Sequence, residues 1–302
     1  MQGKPRILRV AAVQMVFARS IAGNLDLIER EATAAADDGA RAVLFPECAT
    51  TGYAADFGAL RRPDLEAALC RIGSLAGRLR VTLLVGSPFF AGTGRRLFNA
   101  FLVFNPQGRL VHGYAKCQLV ESDRRWFAPG DGVSLFEVGG VAATAILCHE
   151  RRYPELVRLP VMAGAQVVFH PNAGMDSLTV SRSKRGGRDG MAVRAFENAV
   201  FYVFANSVGP QGGGLWSAGD SKIVAPDGRV LALADNRSPS RIVADLDLSL
   251  ATRKYALDSL RHPRFLAAHW RRLLPELRQR VRDNNRQFRL PEPSTTAGRG
   301  AR

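Results

Sequence analysis

Along this chain, short runs that are wholly apolar or alternate apolar with polar are interleaved with longer runs whose apolar positions recur every three or four residues. These are the patterns of buried strands and of amphipathic helices. ILRVAAVQM reads as a first strand and NLDLIEREATAAADDGA as a first helix, closed by Gly39. RAVLFPE is a second strand, a helix is expected over residues 63–79, and VTLLVGSPF is a third strand. FNAFLVFNPQGRLVHGYAK reads as a hairpin turning at Pro-Gln-Gly. VAATAILC is again strand and leads into a helix beginning near Tyr153 and Pro154. AQVVFHP is strand and MAVRAFENA helix; FYVFANSVG, DSKIVAPDGRVLALA and SRIVADLDL are strands, the middle one turning at Pro-Asp-Gly. Residues 260–290 read as a basic amphipathic helix broken near Pro275, and PEPSTTAGRGAR has the composition of a disordered terminus. Strands and helices that interleave, with hairpins among them, predict an α/β protein with a mixed sheet.

Composition narrows the class. With 302 residues and 46% apolar content the chain can bury a large core, and no apolar run reaches the length of a membrane span. MQGKPRILRVAAVQM lacks the long apolar segment and small-residue cleavage site of a signal peptide, so a cytoplasmic location is expected. The net charge of +15 raises nucleic acid or a membrane surface as partners. The basic residues, however, are nearly all arginine and are scattered through every segment, which fits general arginine usage rather than a binding patch. Neither partner is therefore expected. Cys48, Cys70, Cys117 and Cys148 show no Cys-x-x-Cys spacing, and His112, His149, His170, His262 and His269 lack paired ligand spacing. Zinc and disulfide frameworks are both demoted, and no metal is expected.

Three strands end abruptly at an ionisable side chain: RAVLFPE at Glu47, LVHGYAK at Lys116 and VAATAILC at Cys148. Strand ends in α/β sheets are where ligand sites collect, because side chains there leave the core yet stay rigidly held. Singly, Glu47 reads as well as a strand-end carboxylate, Lys116 as a surface lysine and Cys148 as a small core residue. Together they form coherent chemistry. A thiol needs a base, and a carbonyl under attack needs positive charge where the oxyanion forms.

Several ordered blocks between about Leu8 and Asp247 resemble the carbon-nitrogen hydrolase family, also called the nitrilase superfamily. AAVQM is similar to its opening strand, GARAVLFPE followed by TGY to its glutamate block, YAKCQL to its lysine block and ILCHERRYPEL to its cysteine block. GAQVVFHPNA, RAFENAVFYVFANSVG and GDSKIVAPDGRVLA are similar to later structural blocks. The resemblance implies a four-layer α-β-β-α sandwich, Glu47 as general base, Lys116 as oxyanion stabiliser and Cys148 as nucleophile, with no cofactor. It also implies a second site carboxylate after the lysine, in KCQLVESDRRWFAPG. Asp123 better matches the count back from Phe127, but Glu121 is preferred because its longer side chain reaches further.

Cys148-His149-Glu150-Arg151-Arg152 is similar to the amidase and carbamoylase branches rather than to true nitrilases. The expected reaction is hydrolysis of a linear non-peptide carbon-nitrogen bond in an amide or N-carbamoyl substrate. Arg152 is expected to grip a substrate carboxylate as a bidentate fork, with an ion pair to Glu155 or Glu197 as the alternative. By family position, Tyr53, His149, Tyr153 and Asn172 are candidates for substrate binding, with Trp126 and Trp216 as further lining. The family usually dimerises, which gives the basic C-terminal helix a role in packing on a second copy. The expected organisation is a catalytic domain over residues 1–260, a helical extension over 261–290 and a disordered tail over 291–302.

Overall fold

Alternation along the first apolar run decides which layers the chain builds. In the computed structural model, which describes residues 6–53, 56–92, 94–183 and 190–291, strand β1 spans Ile7–Gln14. Leu8, Val10 and Ala12 pack to one side, and Ala11 and Val13 to the other, as the two-residue period of a strand requires. Both faces of β1 are thus apolar, and each needs its own cover.

Helix α1 (Ile21–Asp37) begins at Ser20, whose side chain accepts the Gly23 N–H. It closes at Gly39, whose φ of +81 suits glycine. β2 (Ala42–Leu44), α2 (Arg62–Leu79) and β3 (Thr82–Phe90) follow, with β1, β2 and β3 mutually parallel. β4 (Leu97–Phe104) and β5 (Leu110–Ala115) extend the sheet as an antiparallel hairpin.

The second half holds α3 (Glu121–Arg124), β6 (Phe136–Val138), β7 (Val141–Ala145), α4 (Glu155–Met162) and β8 (Val167–Asn172). Next come β9 (Met175–Ser177), α5 (Leu178–Ser183), α6 (Met191–Asn198), β10 (Phe201–Asn206), β11 (Val208–Gly212) and β12 (Leu215–Ala218). β13 (Lys222–Val224), β14 (Val230–Leu233), β15 (Ser240–Asp247), α7 (Lys254–Ser259) and α8 (Arg264–Asn285) complete it.

The strands form two six-stranded sheets, ordered β15-β1-β2-β3-β4-β5 and β14-β13-β10-β8-β7-β6, with a small sheet β11-β12-β9. Val10, Leu44, Phe101, Phe169 and Val203 pack between the large sheets. Ile28 and Leu69 of α1 and α2 cover the outer face of the first, against Val43 and Leu83. Val157 and Ala195 of α4 and α6 cover the outer face of the second, against Val168 and Tyr202. This is the expected four-layer α-β-β-α sandwich.

Four features differ from the expectations. Only Ala42–Leu44 of RAVLFPE is strand. FYVFANSVG divides after Asn206 into β10 and β11, because the chain leaves the large sheet there and joins the small one. α8 runs unbroken through Pro275, whose missing N–H and the carbonyl it frees at exposed Arg271 both lie toward water. The end of α8 is also sewn to its own chain. Asn284 Nδ2 donates to the Gly113 carbonyl (2.7 Å), Asn285 Oδ1 accepts the Gly113 N–H (3.2 Å), and Phe288 packs on Phe89. A Cβ on Gly113 would lie 2.0 Å from the Phe288 ring, so only glycine admits this seat. These groups cover the outer edge of β5, which would otherwise offer free backbone hydrogen bonds. Of the expected tail, residues 292–302 lie outside the described residues. Among the described residues no helix is long and apolar enough to cross a membrane.

Candidate active site

β2, β5, β7, β8 and β10 all run the same way in their sheets, so their C-terminal ends gather at one edge of the sandwich. Glu47 follows β2, Lys116 follows β5 and Cys148 follows β7. The Glu47 turn presses across β3 at Gly86. A Cβ there would fall 2.4 Å from the Pro46 carbonyl oxygen and 2.5 Å from the Glu47 Cα. Glycine at 86 is what lets the carboxylate lean over the sheet.

Glu47 and Lys116 are both fully buried. Glu47 Oε1 accepts from Lys116 Nζ (2.8 Å) and from Asn99 Nδ2 (2.7 Å), while Oε2 accepts the Ala173 N–H (3.1 Å). The second carboxylate on the lysine is Asp123, whose Oδ2 lies 2.8 Å from Nζ and whose Oδ1 accepts from the Tyr53 hydroxyl. This corrects the preference for Glu121. The Glu121 side chain is 98% exposed and its nearest cation is Arg124. Both residues belong to the single turn α3, and the turn aims Asp123 inward and Glu121 outward. The shorter side chain suffices because its backbone stands closer.

The electrostatics follow from this packing. Burial alone would depress Lys116, but the Glu47 carboxylate, with Cys148 and Asp123, outweighs it and holds the ammonium well above the usual lysine range. Burial pushes Tyr53 up, as do the two carboxylates, so it stays a phenol. Burial likewise pushes the Cys148 thiol up to about 12; the Glu47 carboxylate facing it adds to the shift and Lys116 opposes it. The resting group is therefore a thiol. Its residue sits at φ +47, in the left-handed region that costs an L-residue about 1–2 kcal/mol.

Glu150, two residues on, bolts this turn to the lysine loop. Its Oε2 accepts the Leu147 N–H (2.8 Å), and its Oε1 accepts the Cys117 N–H (2.7 Å), the Gln118 N–H (3.1 Å) and the Tyr114 hydroxyl (2.8 Å). Burial raises its carboxyl while these donors oppose the rise. On the other side, His170 Nε2 lies 3.0 Å from the Cys148 carbonyl oxygen.

A cavity of about 930 Å³ opens over Cys148 and is bordered by Tyr53, His149, Arg151, Arg152 and Asn172. Asn172 Nδ2 donates to Asn206 Oδ1 (2.8 Å). Tyr153 is not among the lining residues; its ring stands edge-on to His149 at 5.7 Å. Trp126 packs on Phe57 outside the cavity wall, and Trp216 lies in β12 without reaching it. Of the alternative partners for Arg152, Glu197 is paired with Arg194 at 2.7 Å. Burial, with Arg152, Lys116 and Arg151 nearby, lowers His149, so its ring is neutral. Among the described residues no group of three or more His, Cys, Asp or Glu side chains is arranged to hold a metal.

The sequence alone gives Asn99, Glu150 and His170 no role in the site. A signal existed for Asn99, a lone amide inside the apolar strand LFNAFLVF, where a buried polar group needs a partner. Glu150 sits in a turn after an apolar strand yet is fully buried, which sequence pattern alone does not show.

The family model for carbon-nitrogen hydrolases matches residues 9–255. A nitrilase from Pyrococcus abyssi is 29% identical over 238 residues, covering 76% of this chain and 86% of the relative. An N-carbamoylputrescine amidase from Arabidopsis thaliana is 25% identical over 282 residues, covering 84% and 91%. Among solved structures, a variant of the amidase from Nesterenkonia sp. AN1 superposes with a TM-score of 0.74 at 26% identity, covering 87% of this chain and 97% of that one. That variant carries the acetamide moiety of fluoroacetamide covalently on its active site cysteine. With the fold, the buried Glu-Lys pair and the cysteine turn in place, the chain belongs to the carbon-nitrogen hydrolase family and is an amidohydrolase acting on carbon-nitrogen bonds.

Proposed function

We propose that this enzyme hydrolyses a small amide or N-carbamoyl compound through a thioester on Cys148. The observation that carries the reading is that one buried carboxylate, Glu47, both holds Lys116 and faces a thiol that opens on the cavity. A thiol near 12 is only about one part in 10⁵ ionised at pH 7, so attack needs its proton removed in the same step. Glu47 takes that proton as Sγ bonds to the carbonyl carbon. The carbonyl electrons move to oxygen, where Lys116 and the backbone N–H of His149 receive them. Two of the three Nζ donors are used by Glu47 and Asp123, which leaves one for the oxyanion. Collapse breaks the C–N bond as Glu47 passes its proton to the departing nitrogen. Water then gives a proton to Glu47 and attacks the thioester, and the S–C bond breaks as Glu47 returns that proton to sulfur, restoring the thiol and the carboxylate.

For the substrate, the acetamide moiety held by the Nesterenkonia amidase variant supports a small amide, and the Arabidopsis relative supports a carbamoyl group. Arg152, exposed at the cavity border beside His149, supports a substrate that carries a carboxylate. The reading includes a homodimer; exposed Val193 and Phe196 of α6, beside Tyr255 of α7, support an apolar contact between copies. The Pyrococcus relative favours a second reading, in which the same thiol adds to a nitrile carbon. Ammonia release from a panel of aliphatic amides, N-carbamoyl amino acids and nitriles separates the two. The proposal expects turnover of an amide or carbamoyl compound, lost in Cys148→Ala; a preference for nitriles, or activity kept in that variant, contradicts it.

A further inference from the structure

The Cys148 turn needs something to hold its strained peptide, and two neighbouring strands supply it. His170 lies within β8 and Tyr202 within β10, where it opposes Val168, one pleat before His170, so both rings share the helix-covered face. Tyr202 is fully buried and its hydroxyl lies 2.9 Å from His170 Nδ1. His170 Nε2 in turn lies 3.0 Å from the Cys148 carbonyl oxygen. The proton positions follow from the partners. A carbonyl oxygen only accepts, so Nε2 carries the hydrogen; the ring is neutral, burial pushing it down to about 3 with Arg151 adding to the fall, so Nδ1 accepts from Tyr202.

This chain of donors acts on one planar unit. The Cys148 carbonyl and the His149 N–H belong to the same trans peptide and point in opposite directions. With the carbonyl fixed toward His170, the N–H is fixed away from it. A hydrogen bond to the carbonyl also polarises the N–H of that unit and strengthens it as a donor. We propose that His170, set by Tyr202, is a positioning residue for the oxyanion hole, orienting and polarising the Cys148–His149 peptide. The inference rests on the thioester reading above, in which that N–H receives the developing charge.

Two reagents separate oxyanion support from mere support of the turn. p-Nitrophenyl acetate acylates the thiol: the S–C bond forms, the carbonyl passes through an oxyanion, and p-nitrophenolate leaves while Glu47 holds the thiol proton. Iodoacetamide alkylates it by displacement at a saturated carbon: the S–C bond forms, iodide leaves, Glu47 takes the thiol proton, and no oxyanion arises. Both rates would be measured in wild type, His170→Met, His170→Gln and Tyr202→Phe. His170→Met is expected to slow acylation by about 10–100-fold, less than outright loss of an oxyanion donor, and to leave alkylation within about threefold. His170→Gln, which keeps an N–H donor, recovers most of the loss. Tyr202→Phe removes a single oxygen atom and is expected to slow acylation by about threefold to tenfold; it carries the test if the methionine variant does not fold. Parallel losses of acylation and alkylation, or unchanged acylation, overturn the inference. A wild-type protein with no acylation that depends on Cys148 instead overturns the thioester reading, a failure visible before any His170 variant is compared.

Discussion

Cys48 and Cys148 stand after strands of opposite sheets in the same left-handed conformation, at φ +52 and +47. Burial raises both thiols, and in both the Glu47 carboxylate adds to the rise. Yet their surroundings differ in one respect that matters for chemistry. Cys48 is fully buried among Phe57, Leu97, Leu119 and Phe127, and its sulfur touches Asn99 Oδ1 at 3.8 Å. Cys148 opens on the cavity. A strand-end turn, a nearby carboxylate and the Lys116 ammonium are thus shared by a packed sulfur and by the proposed nucleophile; access for a carbonyl carbon is what distinguishes them.

The comparison breaks most sharply at Glu47. Glu47→Gln should cut kcat/KM by about 10²–10⁴-fold, the range of a lost general base. The same change removes a charge that raises Cys148, so the thiol should titrate below its wild-type value of about 12. Ultraviolet thiolate absorbance against pH checks this. An enzyme that ionises more easily yet turns over far less identifies Glu47 as a base, whereas rates that rise with the thiolate would make it only a charge.

The lysine's second carboxylate comes next. Asp123→Asn should lower kcat by about 10–100-fold and destabilise the fold by about 3–5 kcal/mol, because it breaks a buried charge network. Glu121→Gln, at an exposed position, should change kcat by less than about twofold. Kinetics and urea unfolding of the pair would settle which of the two serves the site. The smallest effect belongs to Cys48. Cys48→Ala should keep turnover within about threefold and cost about 1–2 kcal/mol of stability, the loss of one small buried group.

Much of this was legible in the sequence because strands announce themselves by pattern and end abruptly. The apolar runs that stop at Glu47, Lys116 and Cys148 marked three side chains that the fold brings to one edge. The choice between Glu121 and Asp123 was not legible. It depends on which way a single helical turn faces, and the reach of a side chain is a poor guide when the backbone can move closer. The small sheet of β9, β11 and β12 escaped for a related reason: VGPQG and LWSA are too short, and the first too rich in glycine, to carry a period. Asn99 and His170, and Glu150 through its bonds to Tyr114, Cys117 and Gln118, act on groups far away in sequence, and no local pattern encodes such partners.

The central claim is that Cys148 carries the acyl group. Its most direct test is intact-mass and peptide-level analysis after brief mixing with acetamide, N-carbamoyl amino acids and nitriles, in wild type, Glu47→Gln, Cys48→Ala and Cys148→Ala. The account predicts an acyl or carbamoyl adduct on the Cys148 peptide that survives Cys48→Ala and is absent in Cys148→Ala. An adduct on another residue, or hydrolysis that continues in Cys148→Ala, would contradict it.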